Sequence, residues 1–357
     1  MVELADVFQS YGPAYRQKYG ARMLPSHLAA MRAIEQCRTE ALGGQIYYCP
    51  DCDQVQYSYH SCRNRHCPKC QHEATQDWLE RQQHLLLPVP YFLLTFTLPA
   101  GLRELVRSHQ KDVYSLLFRA SAAATQELSK DPRFVGGQIG MIGVLHTWTR
   151  DLRYHPHVHF LVPGGGLAAD QQAWLPSRED FLVHVRPLSV LFRAKFREAF
   201  RQTDMFDQAP IDVWQQDWVV HCKSVGNGQA TLKYLAPYIF RVAISNRSIL
   251  KAEDGQVTFR YTDRQSGESR TCSLAAEQFI HRFLQHVLPK GFVKVRYYGF
   301  FSSGNRSRLR QIRQLLGAQD APPSVQTDPQ TDARHCPACG GVMLLQKILP
   351  PRKDRPP

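Results

Sequence analysis

The chain of 357 residues is 43% hydrophobic and 11% aromatic, which is enough apolar material for a folded core and for about two to three domains. Lysine and arginine total 44 against 31 acidic residues, so the formal net charge is +13 and nucleic acid is a better partner than an acidic protein. The most apolar stretch, Leu85 to Leu98, is broken by Pro88 and Pro90 and is too short to span a bilayer, so we expect no membrane association. The opening sequence, MVELADVFQS, has neither a basic leader nor an apolar signal core, which predicts a cytoplasmic protein with reduced cysteines.

Residues 1–85 predict a small N-terminal helical and zinc-binding domain. Apolar residues recur at helical spacing at Leu28, Met31 and Ile34, ahead of the first cysteine pair. The rest of this segment is rich in Cys, His, Arg and Tyr and poor in large apolar side chains. We therefore expect bound metal to supply much of its folding free energy.

Residues 86–250 predict a larger domain in which strands and helices alternate. Strands are expected over 91–99, 140–148, 157–162 and 218–225, and helices over 101–129, 187–201 and 229–240. The polar loop between the second and third of these strands indicates an antiparallel hairpin.

Residues 251–317 predict a basic C-terminal extension of that domain. A polar hairpin is expected over 257–262 and 269–273, followed by a helix over 277–288. Between Glu277 and Asp320 the chain has eight lysines and arginines and no acidic residue. Residues 318–357 predict a linker rich in Pro, Gln and Asp, and a tail with a further cysteine pair.

The segment from Lys290 to Arg313 interleaves its cations with aromatic rings. The four rings belong to Tyr297, Tyr298, Phe300 and Phe301. Cations that bind phosphates and aromatic rings that stack on bases are typical of a surface that binds single-stranded nucleic acid. The affinity of such a surface for nucleic acid falls steeply as the salt concentration rises. The alternative is a strand core beside a solvated helix.

Two Cys-x-x-Cys pairs, Cys49 with Cys52 and Cys67 with Cys70, predict a structural zinc site. The spacing within each pair lets both thiolates bind one ion. Other donors leave the choice of ligands open, and a second zinc site is an alternative drawn from Cys62, His66, Cys336 and Cys339. The sequence does not rank these ways of choosing four ligands.

Basic side chains lie among these cysteines. Arg63, Arg65 and Lys69 fall in a stretch that has no acidic residue between Asp53 and Glu73. Contact with DNA phosphates is the functional interpretation, and a solvated charged face is the alternative.

Three histidines alternate at His155, His157 and His159. Alternate residues of a strand point to one face, so these imidazoles predict a metal site. Phe160 and Leu161 follow instead of an Asp-His pair, which argues against a metallo-hydrolase.

Two tyrosines, Tyr234 and Tyr238, are four residues apart and would share one face of a helix. Packing is the usual role of such a pair. Beside a divalent ion that polarises a phosphodiester, however, a phenol can attack phosphorus and form a phosphotyrosine.

Four blocks of the sequence together resemble one family. The resemblance rests on a His-hydrophobe-His motif ahead of a tyrosine pair and on the blocks SCRNRHCPKC, LHTWTRDLRYHPHVHFLVPGG, YLAPYIFRVAISNR and CPACGG. In these residues the chain resembles the HUH-type rolling-circle transposases of two-tyrosine insertion sequences, which have an N-terminal transposase zinc-binding domain. The resemblance covers most of the chain. It implies an α+β fold, with a central antiparallel sheet of the HUH endonuclease type, flanking helices and a small N-terminal zinc-binding domain.

The resemblance implies that His157 and His159 bind the catalytic divalent ion. We favour His146 as the third ligand over Asp151 and His155, because it lies on the preceding strand of the predicted hairpin. Imidazole ligands make Mn2+ plausible beside Mg2+.

The resemblance also implies that Tyr234 and Tyr238 are the nucleophiles. Pro237 stands where the family pattern often has a basic residue. Arg241 and Arg247 follow the pair and are candidates to hold the scissile phosphate, with solvated surface charge as the alternative.

The implied protein is a transposase, a metal-dependent single-strand DNA endonuclease and strand transferase. Its implied partners are single-stranded DNA at element ends and target DNA, and it would associate with the nucleoid of a bacterial cell. No Walker-type motif is present, so a host helicase would supply unwinding. The alternatives are a plasmid-type replication initiator or relaxase, and a non-catalytic zinc-dependent DNA-binding protein.

Overall fold

The computed structural model describes residues 2–71, 85–227, 242–263, 266–318 and 334–352. Its α-helices are α1 (Leu4–Tyr19), α2 (Pro25–Gln36), α3 (Arg103–Ser108), α4 (Gln110–Ser129), α5 (Val185–Phe200), α6 (Ala276–Leu284) and α7 (Arg306–Leu315). Its strands are β1 (Gly44–Tyr48), β2 (Val55–Tyr59), β3 (Pro90–Thr97), β4 (Met141–Trp148), β5 (Tyr154–Pro163), β6 (Gly165–Leu167), β7 (Trp174–Pro176), β8 (Val220–Asn227), β9 (Ile249–Glu253), β10 (Gln256–Thr262), β11 (Ser269–Ala275), β12 (Val295–Tyr298) and β13 (Leu344–Leu349).

These elements confirm an α+β fold built on antiparallel sheets. The chain forms two compact units, of which the first, called the cysteine unit here, comprises Met1–Ala74, Ile244–Val287 and Pro322–Pro357. The second, called the histidine unit, comprises Thr75–Ala243 and Leu288–Ala321.

The expected extension over 251–317 is therefore divided between the two units, which corrects that boundary. Its first part packs within the cysteine unit, where Phe283 of α6 meets Phe8 of α1 with ring centroids 5.4 Å apart. Its second part completes the sheet of the histidine unit, because β12 pairs antiparallel with β4. Sequence separation alone could not reveal this division.

The histidine unit is organised around a five-stranded sheet with the order β12-β4-β5-β3-β8. Each neighbouring pair of strands is antiparallel. Along β3, Phe92, Leu94 and Phe96 enter one hydrophobic cluster, whereas Tyr91 and Leu93 enter another. The near-continuous apolar run of this strand follows from burial of both sheet faces.

Most of the helices and strands predicted for the histidine unit are present, but they begin and end at residues other than those predicted. The predicted hairpin is β4 and β5, and the predicted helix over 187–201 is α5. The single helix expected over 101–129 is interrupted at His109, whose backbone (φ −124°, ψ 44°) leaves the helical region and separates α3 from α4. The predicted helix over 229–240 lies outside the described residues.

The aromatic residues of the basic segment do not form an exposed platform. Phe300 and Phe301 are only 3% and 5% exposed and pack in a hydrophobic cluster with Leu309 and Ile312. Tyr297 is half-buried against the same cluster. The alternative of a strand core beside a basic helix is the one that the structure shows.

The cysteine unit contains two three-stranded sheets, with strand orders β13-β1-β2 and β11-β10-β9. Helix α2 is the helix predicted ahead of the first cysteine pair, and the hairpin of β10 and β11 was also predicted.

Among the described helices, none is long and apolar enough to cross a membrane.

Candidate metal centres and active site

Three histidines come together on the paired strands β4 and β5. His146 is the register partner of His157, and His159 follows two residues later on the same face. The ring centroids of His146 and His159 are 4.9 Å apart, and those of His157 and His159 are 4.8 Å apart. Their candidate ligand atoms all lie within 4.8 Å of one another, so the geometry fits one bound ion.

Hydrogen bonds at Nδ1 orient two of these rings. Nδ1 of His157 lies 2.6 Å from the carbonyl oxygen of His155, to which it donates, and this tautomer places the ring lone pair on Nε2. Nδ1 of His159 lies 2.9 Å from Oγ1 of Thr95, on the neighbouring strand β3. Metal-binding histidines usually have a partner of this kind on the second nitrogen, which fixes ring orientation and tautomer.

The two alternatives to His146 have other partners. Nη2 of Arg103 donates to Nδ1 of His155 at 3.0 Å. Asp151 accepts a hydrogen bond from Thr149 and pairs with Arg153 at 2.7 Å. Neither belongs to the histidine cluster, which His146 joins instead.

Arg103 is a residue that sequence reasoning missed. It is half-buried at the start of α3, and its Nε is buried with no hydrogen-bond partner among the described residues. Burial, with a smaller contribution from the charge of Arg153, lowers the pKa of Arg103. A guanidinium beside the histidine cluster is well suited to bind a phosphate oxygen.

A stacked indole borders the cluster on β4. Trp148 stacks on His146 with centroids 4.8 Å apart and an interplanar angle of 24°. The ammonium of Lys294 lies 5.3 Å from the centroid of the Trp148 ring. This packing holds the His146 ring and adds a second cation near the cluster.

The cysteine unit contains a first cluster of four sulfurs, from Cys37, Cys62, Cys67 and Cys70. Cys37 caps the C-terminus of α2, and the other three follow β2. Sγ of Cys70 lies 3.5 Å from Sγ of both Cys37 and Cys62. A Zn–S distance of about 2.3 Å places the sulfurs of a tetrahedral site about 3.8 Å apart, so the cluster is close to that geometry.

A second cluster contains Cys49, Cys52, Cys336 and Cys339. Sγ of Cys49 lies 3.5 Å from that of Cys339, and Sγ of Cys52 lies 3.5 Å from that of Cys336. Backbone N–H groups of Cys339 and Ala338 lower the pKa of Cys336 to about 7, whereas hydrogen bonding with Cys339 raises the pKa of Cys52 to about 12. Neighbouring negative charges oppose the ionisation of all four thiols, and a bound cation would favour it.

Two family models match parts of the chain. A family model described as "Transposase zinc-binding domain" matches residues 7–98, and one described as "Putative transposase" matches residues 140–308. The chain is 38% identical to "Putative transposase y4qJ" of Sinorhizobium fredii (strain NBRC 101917 / NGR234), over 98% of this chain and 97% of that protein. The chain belongs to the IS91-like transposase family.

A second relative has a more specific name. The transposase is 29% identical to the "Transposase for insertion sequence element IS801" of Pseudomonas savastanoi pv. phaseolicola, over 75% of this chain and 68% of that protein. No solved structure matches the chain. Family membership implies nuclease and strand-transfer activity on DNA, and the matched domain and the cysteine clusters support bound Zn2+.

The grouping of cysteines expected from the sequence needs correction. The structure places Cys49 and Cys52 in one cluster and Cys67 and Cys70 in the other, so the four do not surround one ion. The alternative set is divided too, since Cys62 lies with Cys37 while Cys336 and Cys339 lie with the first pair. His66 is in neither cluster. The cysteines are grouped in this way because strand β2 lies between the two Cys-x-x-Cys pairs. Strand β1, which ends just before Cys49, pairs with β2 on one side and with β13 on the other.

The basic residues of the transposase differ in their surroundings. Arg63 is exposed with a left-handed backbone (φ 51°), whereas Arg65 is half-buried and burial lowers its pKa. Lys69 forms an ion pair of 2.5 Å with Glu3, which neutralises part of its charge. Arg247 is exposed and belongs to the cysteine unit.

The predicted nucleophiles Tyr234 and Tyr238 and the predicted phosphate ligand Arg241 lie outside the described residues. All three fall within the range 140–308 of the matched transposase model, as do the three clustered histidines.

Proposed function

We propose that this transposase nicks single-stranded element ends and rejoins them through a 5′-phosphotyrosine intermediate, in rolling-circle-like transposition. The observation that carries the proposal is the cluster of His146, His157 and His159 on two paired strands, inside the matched transposase range. Three imidazoles within reach of one ion are a donor set for a divalent metal.

The chain itself supplies the ligands and holds them in place. We assign His146, His157 and His159 as ligands of Mg2+ or Mn2+, with Thr95 and the carbonyl of His155 as the groups that orient two of the rings. When bound, the ion polarises a phosphoryl oxygen as a Lewis acid. Imidazole donors favour Mn2+ over Mg2+.

In the nicking step, the phenol oxygen of Tyr234 or Tyr238 forms a bond to phosphorus. The bond from phosphorus to the 3′ oxygen breaks, the phenol proton passes to a base, and the leaving oxygen takes up a proton as a free 3′-hydroxyl. The 5′ phosphate stays on the tyrosine as an ester, so attack by a 3′-hydroxyl can restore a DNA strand without an external energy source. A second tyrosine permits a second cleavage before the first ester is resolved.

Cations near the cluster would position the DNA backbone. The guanidinium of Arg103 donates to Nδ1 of His155 and has further N–H groups on its two Nη atoms for a phosphate oxygen. Arg241 and Arg247 remain candidates for the scissile phosphate, and Arg63, Arg65 and Lys69 remain candidates for other phosphates along the DNA.

The first cysteine cluster is assigned to structural zinc. Cys37, Cys62, Cys67 and Cys70 all lie within the matched zinc-binding domain, and their sulfurs are nearly at tetrahedral spacing. A closed site of four thiolates serves folding rather than catalysis.

The test is covalent capture of DNA. Purified transposase is incubated with a labelled single-stranded oligonucleotide from its element end and with Mn2+ or Mg2+, and a denaturation-resistant adduct is sought. We expect an adduct in the wild type, loss of the corresponding adduct in Tyr234→Phe or Tyr238→Phe, and near-normal DNA binding in both variants. Adduct formation by the double tyrosine variant, or nicking by the His157→Ala/His159→Ala variant, would contradict the proposal.

The same experiment separates the alternative functions. Tight, salt-sensitive binding without any adduct would favour a zinc-dependent DNA-binding protein that lacks catalysis. Excision of a marked element in cells, with a host helicase present, distinguishes a transposase reaction from plasmid replication initiation.

A further inference from the structure

The second cysteine cluster joins two parts of the chain that are far apart in sequence. Cys49 and Cys52 form the turn after β1, and Cys336 and Cys339 form a similar turn ahead of β13. Only the first pair lies within residues 7–98, which match the zinc-binding domain. We infer that these four cysteines bind a second structural zinc ion, which fastens residues 334–352 (the C-terminal segment) to the β1–β2 hairpin.

Backbone geometry prepares both pairs for a shared ion. The N–H of Cys49 donates to the carbonyl oxygen of Gln54 at 2.9 Å, and the N–H of Cys336 donates to that of Gly341 at 2.8 Å. Each bond closes a tight turn around its Cys-x-x-Cys pair, and Gly340 adopts a positive φ of 78° in the second turn. The two turns thus bring their four sulfur atoms within 4.8 Å of one another, which suits one shared ion.

Strand β13 would gain from an anchor of this kind. It pairs antiparallel with β1 from Gly44 with Leu349 to Tyr48 with Leu344. Its apolar side chains gain little from this pairing, since Leu344, Leu345 and Ile348 remain 56%, 50% and 65% exposed. Burial of apolar surface is the main driving force for docking a strand, and since β13 itself buries little, bound zinc would add to the free energy that holds it.

Other contacts also hold the C-terminal segment: Met343, which is 4% exposed, packs with Cys49 and Cys336 beside Tyr47. The guanidinium of Arg334 lies 4.6 Å from the ring centroid of Tyr47, and Arg352 pairs with Glu40 at 2.7 Å. A side chain on Gly341 would contact the carboxylate of Asp51, which would have to move aside. Exposed contacts of these kinds contribute little free energy, and they set register rather than affinity.

The inference predicts the zinc content of full-length protein. Inductively coupled plasma mass spectrometry should find two Zn2+ per wild-type chain and one in the Cys336→Ser/Cys339→Ser variant. The Cys62→Ser/Cys67→Ser variant should also retain one ion, which shows that the clusters load independently. The matched control is Cys272→Ser on β11, outside both clusters, which should retain two.

Hydrogen exchange then tests the fastening itself. In the Cys336→Ser/Cys339→Ser variant, amides of 344–349 should exchange faster than in the wild type, while amides of α1 and β10 keep their protection. A second variant guards against misfolding. Cys339→His keeps a ligand at an exposed position, so two metal ions should remain, and the visible spectrum of the Co2+-substituted protein should change as nitrogen replaces one sulfur donor.

Two results would overturn the inference. One is an equal zinc content in the wild type and the Cys336→Ser/Cys339→Ser variant. The other is a Co2+ spectrum that Cys339→His leaves unchanged.

Discussion

Arg103 donates a hydrogen bond of 3.0 Å to Nδ1 of His155, and this contact distinguishes His155 from the two histidines that follow it on β5. All three alternate on one strand face and look equivalent in sequence. In the structure, His155 is joined to a cation, whereas His157 and His159 face His146 on the neighbouring strand.

The first prediction separates these histidines by their affinity for metal. We expect His146→Ala, His157→Ala and His159→Ala each to weaken Mn2+ binding by more than about 100-fold, since each removes a direct ligand. His155→Ala is the matched control and should leave the affinity within a few-fold of wild type. Titration with Mn2+, followed by electron paramagnetic resonance, measures the Mn2+ affinity of each variant. If His155→Ala lost as much Mn2+ affinity as His157→Ala, the assignment would be contradicted.

The second prediction concerns Arg103 as a phosphate ligand. Hydrogen bonds to charged groups contribute about 1.5–3 kcal/mol, so Arg103→Gln should slow adduct formation by about 10- to 100-fold. Arg103→Lys should recover only part of the rate, because an ammonium lacks the planar fork of donors. Arg107→Ala, on the exposed side of the same helix, serves as the control. Equal rates in Arg103→Gln and Arg107→Ala would remove Arg103 from the site.

The third prediction tests the hydrogen bond between Thr95 and Nδ1 of His159, whose atoms are 2.9 Å apart. Thr95→Val removes the hydroxyl with little change of shape and should weaken Mn2+ binding by about 10- to 100-fold. Thr95→Ser keeps the hydroxyl and should bind as the wild type does. Thr125→Val on α4, where the hydroxyl donates to the carbonyl oxygen of Ser121, controls for the loss of a buried threonine hydroxyl elsewhere in the histidine unit. If Thr95→Val binds Mn2+ normally, the hydroxyl has no orienting role.

The strand hairpin that carries the histidines could be predicted from the sequence, because the alternation of side chains along a strand involves only residues that are close together in the chain. The alternation placed His157 and His159 on one face of β5, and the resemblance led us to favour His146 on β4, but the same alternation wrongly grouped His155 with them. The same locality explains the errors. Cys37 precedes the first cysteine pair and Cys336 lies near the end of the chain, so their partners depend on tertiary pairing with the hairpin rather than on spacing. Arg103 reaches His155 only because α3 lies against β5, which no local pattern encodes.

The fourth prediction follows from the burial of Phe300. Its ring lies 5.0 Å from that of Phe301 and is almost fully enclosed, so Phe300→Ala should lower the free energy of unfolding by about 3–5 kcal/mol. The affinity of the folded variant for single-stranded DNA should stay near that of the wild type. Urea denaturation and fluorescence anisotropy at low urea measure the two quantities. Weaker DNA binding with unchanged stability would instead support a stacking role for this ring.

The fifth prediction concerns the close packing of Gly143 against Phe160, its register partner across β4 and β5. A Cβ at Gly143 would lie 2.5 Å from Cε1 of Phe160 and 3.0 Å from Cε1 of Phe118, so Gly143→Ala forces the buried ring to move. Overpacking of this kind costs about 1–3 kcal/mol, which urea denaturation would detect as a lower free energy of unfolding.

Because Phe160 directly follows His159, the Gly143→Ala variant should also bind Mn2+ more weakly. Gly304→Ala meets no atom within 4 Å and is the neutral control. The double variant Gly143→Ala/Phe160→Leu should regain part of the lost stability relative to the sum of the two single changes, since the smaller side chain makes room for the new methyl group. Strict additivity of the two changes would show that the glycine is needed for a reason other than contact with this ring.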